Sequence, residues 1–315
     1  MPEIAEVTLM ADAIRSIALN RCLLNIEIFG GKYLNKGLDN LDQLRQDCPL
    51  IVESVNVKGK LVWMQLEHQW FILITFGMSG AIRYHTSESV STANRFHLKF
   101  CLSEDQCFYF HDPRQFGNII ITHDQLVLNS KLSKLGPDML TGPELTDSQF
   151  INIFRQSKFC SKNICCVLMC QEAISGIGNY LKAEILYRSR INPWVIVSDL
   201  DDQTLINLYH CIRETTQMAY QNHGASLYTY TGVRNEKGNF QDMLYVYNKK
   251  TDPNGYTVVR IPDHQSPDKR TTYYVPMVQI IGSFRDPNYG KIESTNQPKV
   301  NLKLKLKLKL KPNKK

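Results

Sequence analysis

The residues of this 315-residue chain best suited to chemistry lie at its start: Pro2, Glu3 and Glu6. A chain beginning Met-Pro normally loses its methionine, which leaves Pro2 with a secondary amine, a competent carbonyl nucleophile. If a helix begins here, its dipole disfavours an ammonium, lowers the amine's pKa and accommodates the two carboxylates. The same acids are ordinary first-turn chemistry, so this reading needs support from elsewhere. One support is Gly176-Ile177-Gly178-Asn179-Tyr180, a glycine turn opening a helix, where backbone amides can face a phosphate. Taken alone, Lys60 reads more as a solvated strand lysine than as a proton donor or phosphate ligand, and Arg270 reads as an exposed turn arginine.

The elements that must carry these residues follow from hydrophobic spacing. Ile4, Val7, Met10, Ala11, Ile14, Ile17 and Ala18 recur at helical period, predicting an amphipathic helix over 3–19. Between 23 and 121 the chain changes to short β-rich runs at 24–29, 51–57, 60–66, 71–76, 96–101, 107–110 and 118–122, which predict a sandwich or barrel. Helical patterns return at 147–154, 164–173, 179–188 and 201–220, so the second half is predominantly helical. Alternation reappears at 245–247, 257–261 and 271–275, suggesting a small appended hairpin module. From Leu302 to Lys311 Leu and Lys strictly alternate, a pattern that pairs as a strand only against a partner and otherwise reads as disordered.

Composition excludes several classes. The formal net charge of +7 equals the seven lysines of residues 300–315, a stretch with no Asp or Glu, so residues 1–299 balance to zero. A globally basic, histone-like body is ruled out, and nucleic-acid binding would rest on a local patch and the tail. The longest apolar run, Ile164 to Cys170, is seven residues, far short of a membrane span. The acidic start is the reverse of a secretory signal, which predicts an intracellular, reducing compartment, nucleus or cytoplasm. The nine cysteines contain no C-x-x-C pair, so no zinc finger is signalled, and neither metal nor cofactor is expected.

Met1-Pro2-Glu3-Ile4-Ala5-Glu6-Val7 resembles the Pro-Glu-Leu-Pro-Glu-Val start of Fpg/Nei DNA glycosylases, and residues 176–186 resemble their helix-two-turn-helix motif. Between these lie Lys58-Gly59-Lys60-Leu61, Phe76-Gly77-Met78-Ser79-Gly80 and Asp112-Pro113-Arg114-Gln115-Phe116-Gly117, which resemble further family motifs in the family's order. Ala5 departs from the proline often found there. The resemblance implies an α+β fold with an N-terminal β-sandwich and flanking helices over 1–130, and a helical helix-two-turn-helix domain over 131–240. It also implies a two-stranded finger over 241–282, and a basic tail remains at 283–315. Where zinc-bearing members carry cysteines, this sequence has Asn254, Thr257, Val275 and Val278, so the finger is expected to be zincless, as in the Nei-like branch.

The resemblance further implies base excision with strand cleavage. Pro2 would attack the sugar C1′ and form a Schiff base, with Glu3 as general acid or base, Glu6 in support, Lys60 as the family's lysine and Arg270 assisting the final elimination. Met78, Arg114 and Phe116 would fill the gap left by an extruded base, although Met78 and Phe116 alone would read as core. Asn179, Arg270, His97 and Lys162 would hold phosphates, with His97 equally readable as a satisfied core histidine. The expected partner is damaged DNA, double- or single-stranded, and the expected state is a monomer without a membrane role. Oxidised pyrimidines and ring-opened purines are the favoured lesions. A catalytically silent module recognising distorted DNA is the rival reading, and the lysine tail would add nonspecific affinity and steepen salt dependence.

Overall fold

The structure is a computed structural model that describes residues 2–84, 96–225 and 238–287. Met1 and the Leu-Lys tail lie outside the described residues.

The first helix, α1 (Ile4–Ala18), runs within a residue of the predicted bounds. It leads into β1 (Cys22–Ile28), two short helices α2 (Lys32–Lys36) and α3 (Leu41–Asp47), and then β2 (Leu50–Lys58), β3 (Leu61–Leu66) and β4 (Trp70–Thr75). The strands β5 (Ala81–Tyr84), β6 (Leu98–Leu102), β7 (Cys107–His111) and β8 (Asn118–Thr122) complete the β region. All eight pair antiparallel in the order β5-β7-β6-β1-β2-β3-β4-β8. Only two residue pairs, Cys22 with Ile51 and Leu23 with Leu50, join β1 to β2. The sheet therefore folds at that corner into two four-stranded layers. Ile26, Phe100 and Phe108 of one layer share a core with Val62, Ile72 and Ile121 of the other, which makes the region a sandwich. Strand β5 was not predicted, because four residues that bury Ala81, Ile82 and Arg83 in a row show no alternation.

The second half is helical. It contains α4 (Gln125–Leu132), α5 (Asp147–Arg155), α6 (Ser157–Cys160), α7 (Ile164–Met169), α8 (Asn179–Arg188) and α9 (Asp202–Gln221). Thr146 caps α5 in a reciprocal arrangement with Gln149, and Asp201 caps α9 through the Thr204 amide. Their apolar faces form a separate core that includes Phe150, Phe154, Leu181, Ile185 and Ile212. Helix α1 belongs to both cores. Ile4 and Ala5 pack into the helical one, while Val7, Met10, Ala11 and Ile14 pack into the sandwich. Among the described residues no helix is long and apolar enough to cross a membrane.

After α9 the strands β9 (Val259–Ile261) and β10 (Thr272–Tyr274) form a two-stranded antiparallel sheet. Ala183 and Tyr187 of α8 pack beneath it with Val246, Val258, Tyr273 and Val275. The predicted strand at 245–247 does not form. The amides of Tyr245, Val246 and Tyr247 instead donate to the two carboxylate oxygens of buried Glu184, each at 2.9 Å. A side chain 61 to 63 residues earlier thus takes the hydrogen bonds that a neighbouring strand would have taken. The helix predicted over 164–173 stops at Met169.

Burial raises the pKa of Glu184, opposed by those three amides and by Arg188. Glu184→Ala, which leaves three amides without an acceptor, is expected to lower unfolding free energy by about 2–4 kcal/mol. Glu184→Gln keeps one acceptor oxygen and should lose less; urea denaturation measures both.

Candidate active site

The amino-terminal acids meet the glycine turn. The Glu3 carboxylate, 2% exposed, accepts hydrogen bonds from the amides of Gly178 at 2.7 Å, Tyr180 at 3.0 Å and Leu181 at 3.3 Å. It sits at the start of α8, where unpaired amides and the helix dipole favour an anion. Close approach requires glycine there, since a Cβ on Gly178 would lie 2.3 Å from the Glu3 Cδ. The Ile4 amide donates to the Gly176 carbonyl at 3.0 Å, which joins the two segments again.

Glu6 is bound more completely than its expected supporting role required. Its Oε2 accepts the Glu3 amide at 2.8 Å, while its Oε1 accepts the Tyr180 hydroxyl at 2.9 Å and the Ala225 amide at 2.7 Å. Burial raises its pKa against these donors. Glu6 therefore holds the first turn of α1 to α8 and to Ala225, just beyond the end of α9. Pro2, next to these acids, is buried.

Lys60 follows Gly59 in the turn between β2 and β3. Gly59 has φ +57, and a Cβ on it would lie 2.6 Å from the Ser175 Cβ. Its amide donates to Asp138 at 2.6 Å. This turn packs onto the glycine turn, and the Lys60 ammonium donates to the Ile177 carbonyl at 2.7 Å. Gln171 supports the same loop, donating to the Ile177 carbonyl and accepting the Gly176 amide, both at 2.9 Å. Asp138 and Gln171 carried no signal in the sequence, because neither lies in a motif and their partners are remote or local backbone.

The electrostatics follow from burial. Burial lifts the Glu3 pKa to about 7 from its ordinary 4.5; the Lys60 charge opposes the rise, Glu6 adds to it, and the Tyr180 and Gly178 amides oppose it. Burial lowers the Lys60 pKa, Glu3 and Glu6 oppose that, and the guanidinium of Arg270 lowers it further. Arg270 is exposed in the turn before β10 and near enough to Lys60 for their charges to interact. Asn179, the first residue of α8, donates its side-chain amide to the Thr271 carbonyl at 2.9 Å, and its Oδ1 is buried without a hydrogen-bond partner. Pro2, Glu3, Glu6, Lys60, Asn179 and Arg270 thus converge where the sandwich, the helical core and the two-stranded sheet meet.

Met78, Arg114 and Phe116 form a second group. Met78 and Phe116 are exposed, at 37% and 58%, rather than in the core. The Arg114 guanidinium lies 5.0 Å from the Phe116 ring centre. Buried Asp112 ties their two loops together, accepting the Ser79 hydroxyl at 2.5 Å and the Gly117 amide at 2.6 Å, while Ser79 accepts the Arg114 amide at 3.0 Å. His97 joins this group: its Nδ1 accepts the Asp112 amide at 2.8 Å, which leaves Nε2 as the N–H of the neutral ring. Burial lowers its pKa, opposed by the Asp112 charge. Lys162 stands apart in the turn between α6 and α7, exposed, with its ammonium 5.9 Å from the Phe159 ring.

The two-stranded sheet contains no cysteine, and among the described residues no three His, Cys, Asp or Glu side chains group to hold a metal ion. Buried Asp252 organises its first loop, accepting the amides of Asn254 at 3.0 Å and Tyr256 at 2.7 Å and the Tyr187 hydroxyl at 2.8 Å. Gln279 closes the second loop, accepting the Val275 amide at 2.8 Å and donating to the Ile191 carbonyl at 2.9 Å.

Two family models match the chain: the formamidopyrimidine-DNA glycosylase N-terminal domain over residues 1–119 and the formamidopyrimidine-DNA glycosylase H2TH domain over residues 135–231. The chain belongs to the formamidopyrimidine-DNA glycosylase family. It is similar to the formamidopyrimidine-DNA glycosylase of Wolbachia pipientis, 26% identical over 253 residues, with 80% of this chain and 90% of that protein covered. The corresponding protein of Pelotomaculum thermopropionicum is 26% identical over 286 residues, covering 89% of this chain and all of that one. Among solved structures, MutM (FPG) from Thermus thermophilus superposes with a TM-score of 0.73 at 22% identity, covering 89% of this chain and 100% of that one. Lactococcus lactis Fpg in complex with DNA containing an abasic site gives 0.75 at 22%, covering 88% and 99%. These likenesses identify the fold as that of Fpg/MutM, with its N-terminal sheet domain and C-terminal helical H2TH domain. DNA repair by a glycosylase is the activity that family membership supports.

The Glu3 carboxyl binds its proton more tightly in the fold than in the unfolded chain, so the stability it contributes is full below about pH 4.5 and is lost as pH rises through about 7. Between about pH 5 and pH 8 the wild type is expected to lose up to about 3 kcal/mol relative to Glu3→Gln, measured by urea unfolding at each pH.

Proposed function

We propose that the protein is a bifunctional DNA glycosylase and AP lyase of the Nei-like branch. The observation that carries the reading is the Glu3 carboxyl, buried on the α8 amides within the field of Lys60 and next to Pro2, with a pKa near neutrality. A proton donor and acceptor works best near the operating pH.

In this mechanism the Pro2 amine, freed by loss of Met1, forms a bond to C1′ of the damaged nucleotide while the C1′–base bond breaks. Glu3 moves the proton that the opening sugar requires, and a Schiff base joins Pro2 to the open sugar. Loss of a proton from C2′ then expels the 3′ phosphate, and a further elimination expels the 5′ phosphate. Lys60, whose ammonium gives up its proton more readily than an exposed lysine, serves the sugar or its phosphate. Arg270 reaches the phosphate beside the lesion and assists the last step. Glu6 acts by holding Glu3 in place.

Damaged DNA, double- or single-stranded, is the partner, bound by a monomer without metal or cofactor. Met78, Arg114 and Phe116 fill the gap in the stack; their exposure on two loops cross-tied by Asp112 supports that role. Nε2 of His97, the second amide hydrogen of Asn179, and Lys162 contribute phosphate contacts. The two large cores support a division near residue 130 between the domains 1–130 and 131–240, while the expected segment 241–282 shares Leu244 with the helical core, and the expected tail at 283–315 begins later, because Asp286 is buried and accepts the Tyr274 hydroxyl at 2.6 Å. Asp252, Gln279 and the apolar cluster under the finger support a zincless, Nei-like finger, and with it a preference for oxidised pyrimidines and ring-opened purines.

Borohydride trapping on a duplex containing thymine glycol tests the reading, with intact mass confirming loss of Met1. Wild type is expected to form a covalent adduct that Pro2→Gly weakens and Glu3→Gln slows by about 100-fold or more. Binding of the same DNA without any adduct, across oxidised pyrimidine and ring-opened purine lesions, would instead favour a silent module for distorted DNA. Dialysis against a chelator is expected to leave both Tm and trapping unchanged.

A further inference from the structure

Lys182 and Asp268 form an ion pair whose side chains are only 1% and 2% exposed. A pair so deeply buried loses the hydration of both charges and is weak as a stabiliser, so its presence calls for another account. Its position supplies one. Lys182 lies three residues after Asn179 on α8, so both side chains leave the same face of the helix. Both reach the turn that carries Arg270. Lys182 grips Asp268 on one side of Arg270, and Asn179 grips the Thr271 carbonyl on the other. Asp268 uses its second oxygen, Oδ1, to accept the amide of Arg270 itself at 3.2 Å. Two tethers from α8 therefore bracket Arg270, and one of them bonds directly to its backbone. The same helix, at its first turn, holds Glu3. One rigid element thus sets the separation between Arg270 and the Glu3–Lys60 pair.

From this geometry we infer that Asp268, held by Lys182, is a positioning residue that fixes the Arg270 turn over the reaction site. The inference rests on the proposed role of Arg270 at the phosphate. Its consequence is that Asp268 matters to strand cleavage only while Arg270 is present. A side chain misplaced by about 1 Å loses much of its contribution to rate, whereas a fault in folding alone acts whether or not Arg270 is there.

The test is single-turnover cleavage of a duplex with a preformed abasic site, scored as the product of the second elimination, using full-length wild type, Asp268→Asn, Arg270→Ala and the double variant, with Kd measured for each. Asp268→Asn is expected to slow cleavage by about tenfold or more in the wild-type background and by less than about twofold in the Arg270→Ala background. Because Asp268→Asn leaves Lys182 buried without its partner, the same cycle is run with Lys182→Met combined with Asp268→Leu, which removes both charges and keeps the site apolar. Equal slowing in both backgrounds, or no slowing in either, would overturn the inference while leaving the glycosylase reading intact. Failure of the wild type to cleave the abasic site or to be trapped on it would overturn both.

Discussion

The contact between the Glu3 carboxylate and the first amides of α8 is the constraint on which the rest of the site depends. It joins residues 175 to 178 positions apart in sequence and brings the start of the chain to the opening of a helix in the second core. Burying a carboxylate is costly, and three amides with a helix dipole offset part of that cost. The balance leaves a group whose ionisation is poised near neutral pH, which is a property of the junction and not of a glutamate as such.

The two cores meet at this junction. Helix α1 spans them, with Ile4 and Ala5 in the helical core and the remainder of its apolar face against the sandwich. Glu6 then locks that helix to Tyr180 and Ala225, so the first turn has neighbours on every side. The β2–β3 turn arrives independently through Gly59, Asp138 and Ser175, and that carries Lys60 to the Ile177 carbonyl. Disturbing any one of these approaches would shift one candidate group relative to the others. The fold gains precision at the site because each group rests on rigid backbone.

The small two-stranded sheet would be marginal by itself. Here it is held by an apolar cluster shared with α8, by Asp252 on its first loop and by Gln279 on its second. Asn179 and Lys182 add the contacts that orient the Arg270 turn. Helix α8 therefore serves three segments at once: its amides hold the amino terminus, its polar face holds the finger turn, and Glu184 holds the 245–247 backbone.

Sequence alone identified the elements with strong local period, from the first helix to α9, and marked Pro2, Glu3 and the glycine turn as candidates, whereas Lys60 and Arg270 stood out only through their resemblance to family motifs. Those signals are readable because spacing, capping and glycine turns act over a few residues. Tertiary structure decided what each group meets. The elevated pKa of Glu3 arises from burial against a helix far along the chain, and the exposure of Met78 and Phe116 depends on loops cross-tied by Asp112. The segment 245–247 carries strand-forming residues, yet Glu184 takes its amides. Lys182 and Asp268 looked like ordinary charged residues until folding placed them together out of water. Local pattern reports what a residue prefers, whereas the partner that satisfies a buried charge or amide is chosen only when distant segments pack.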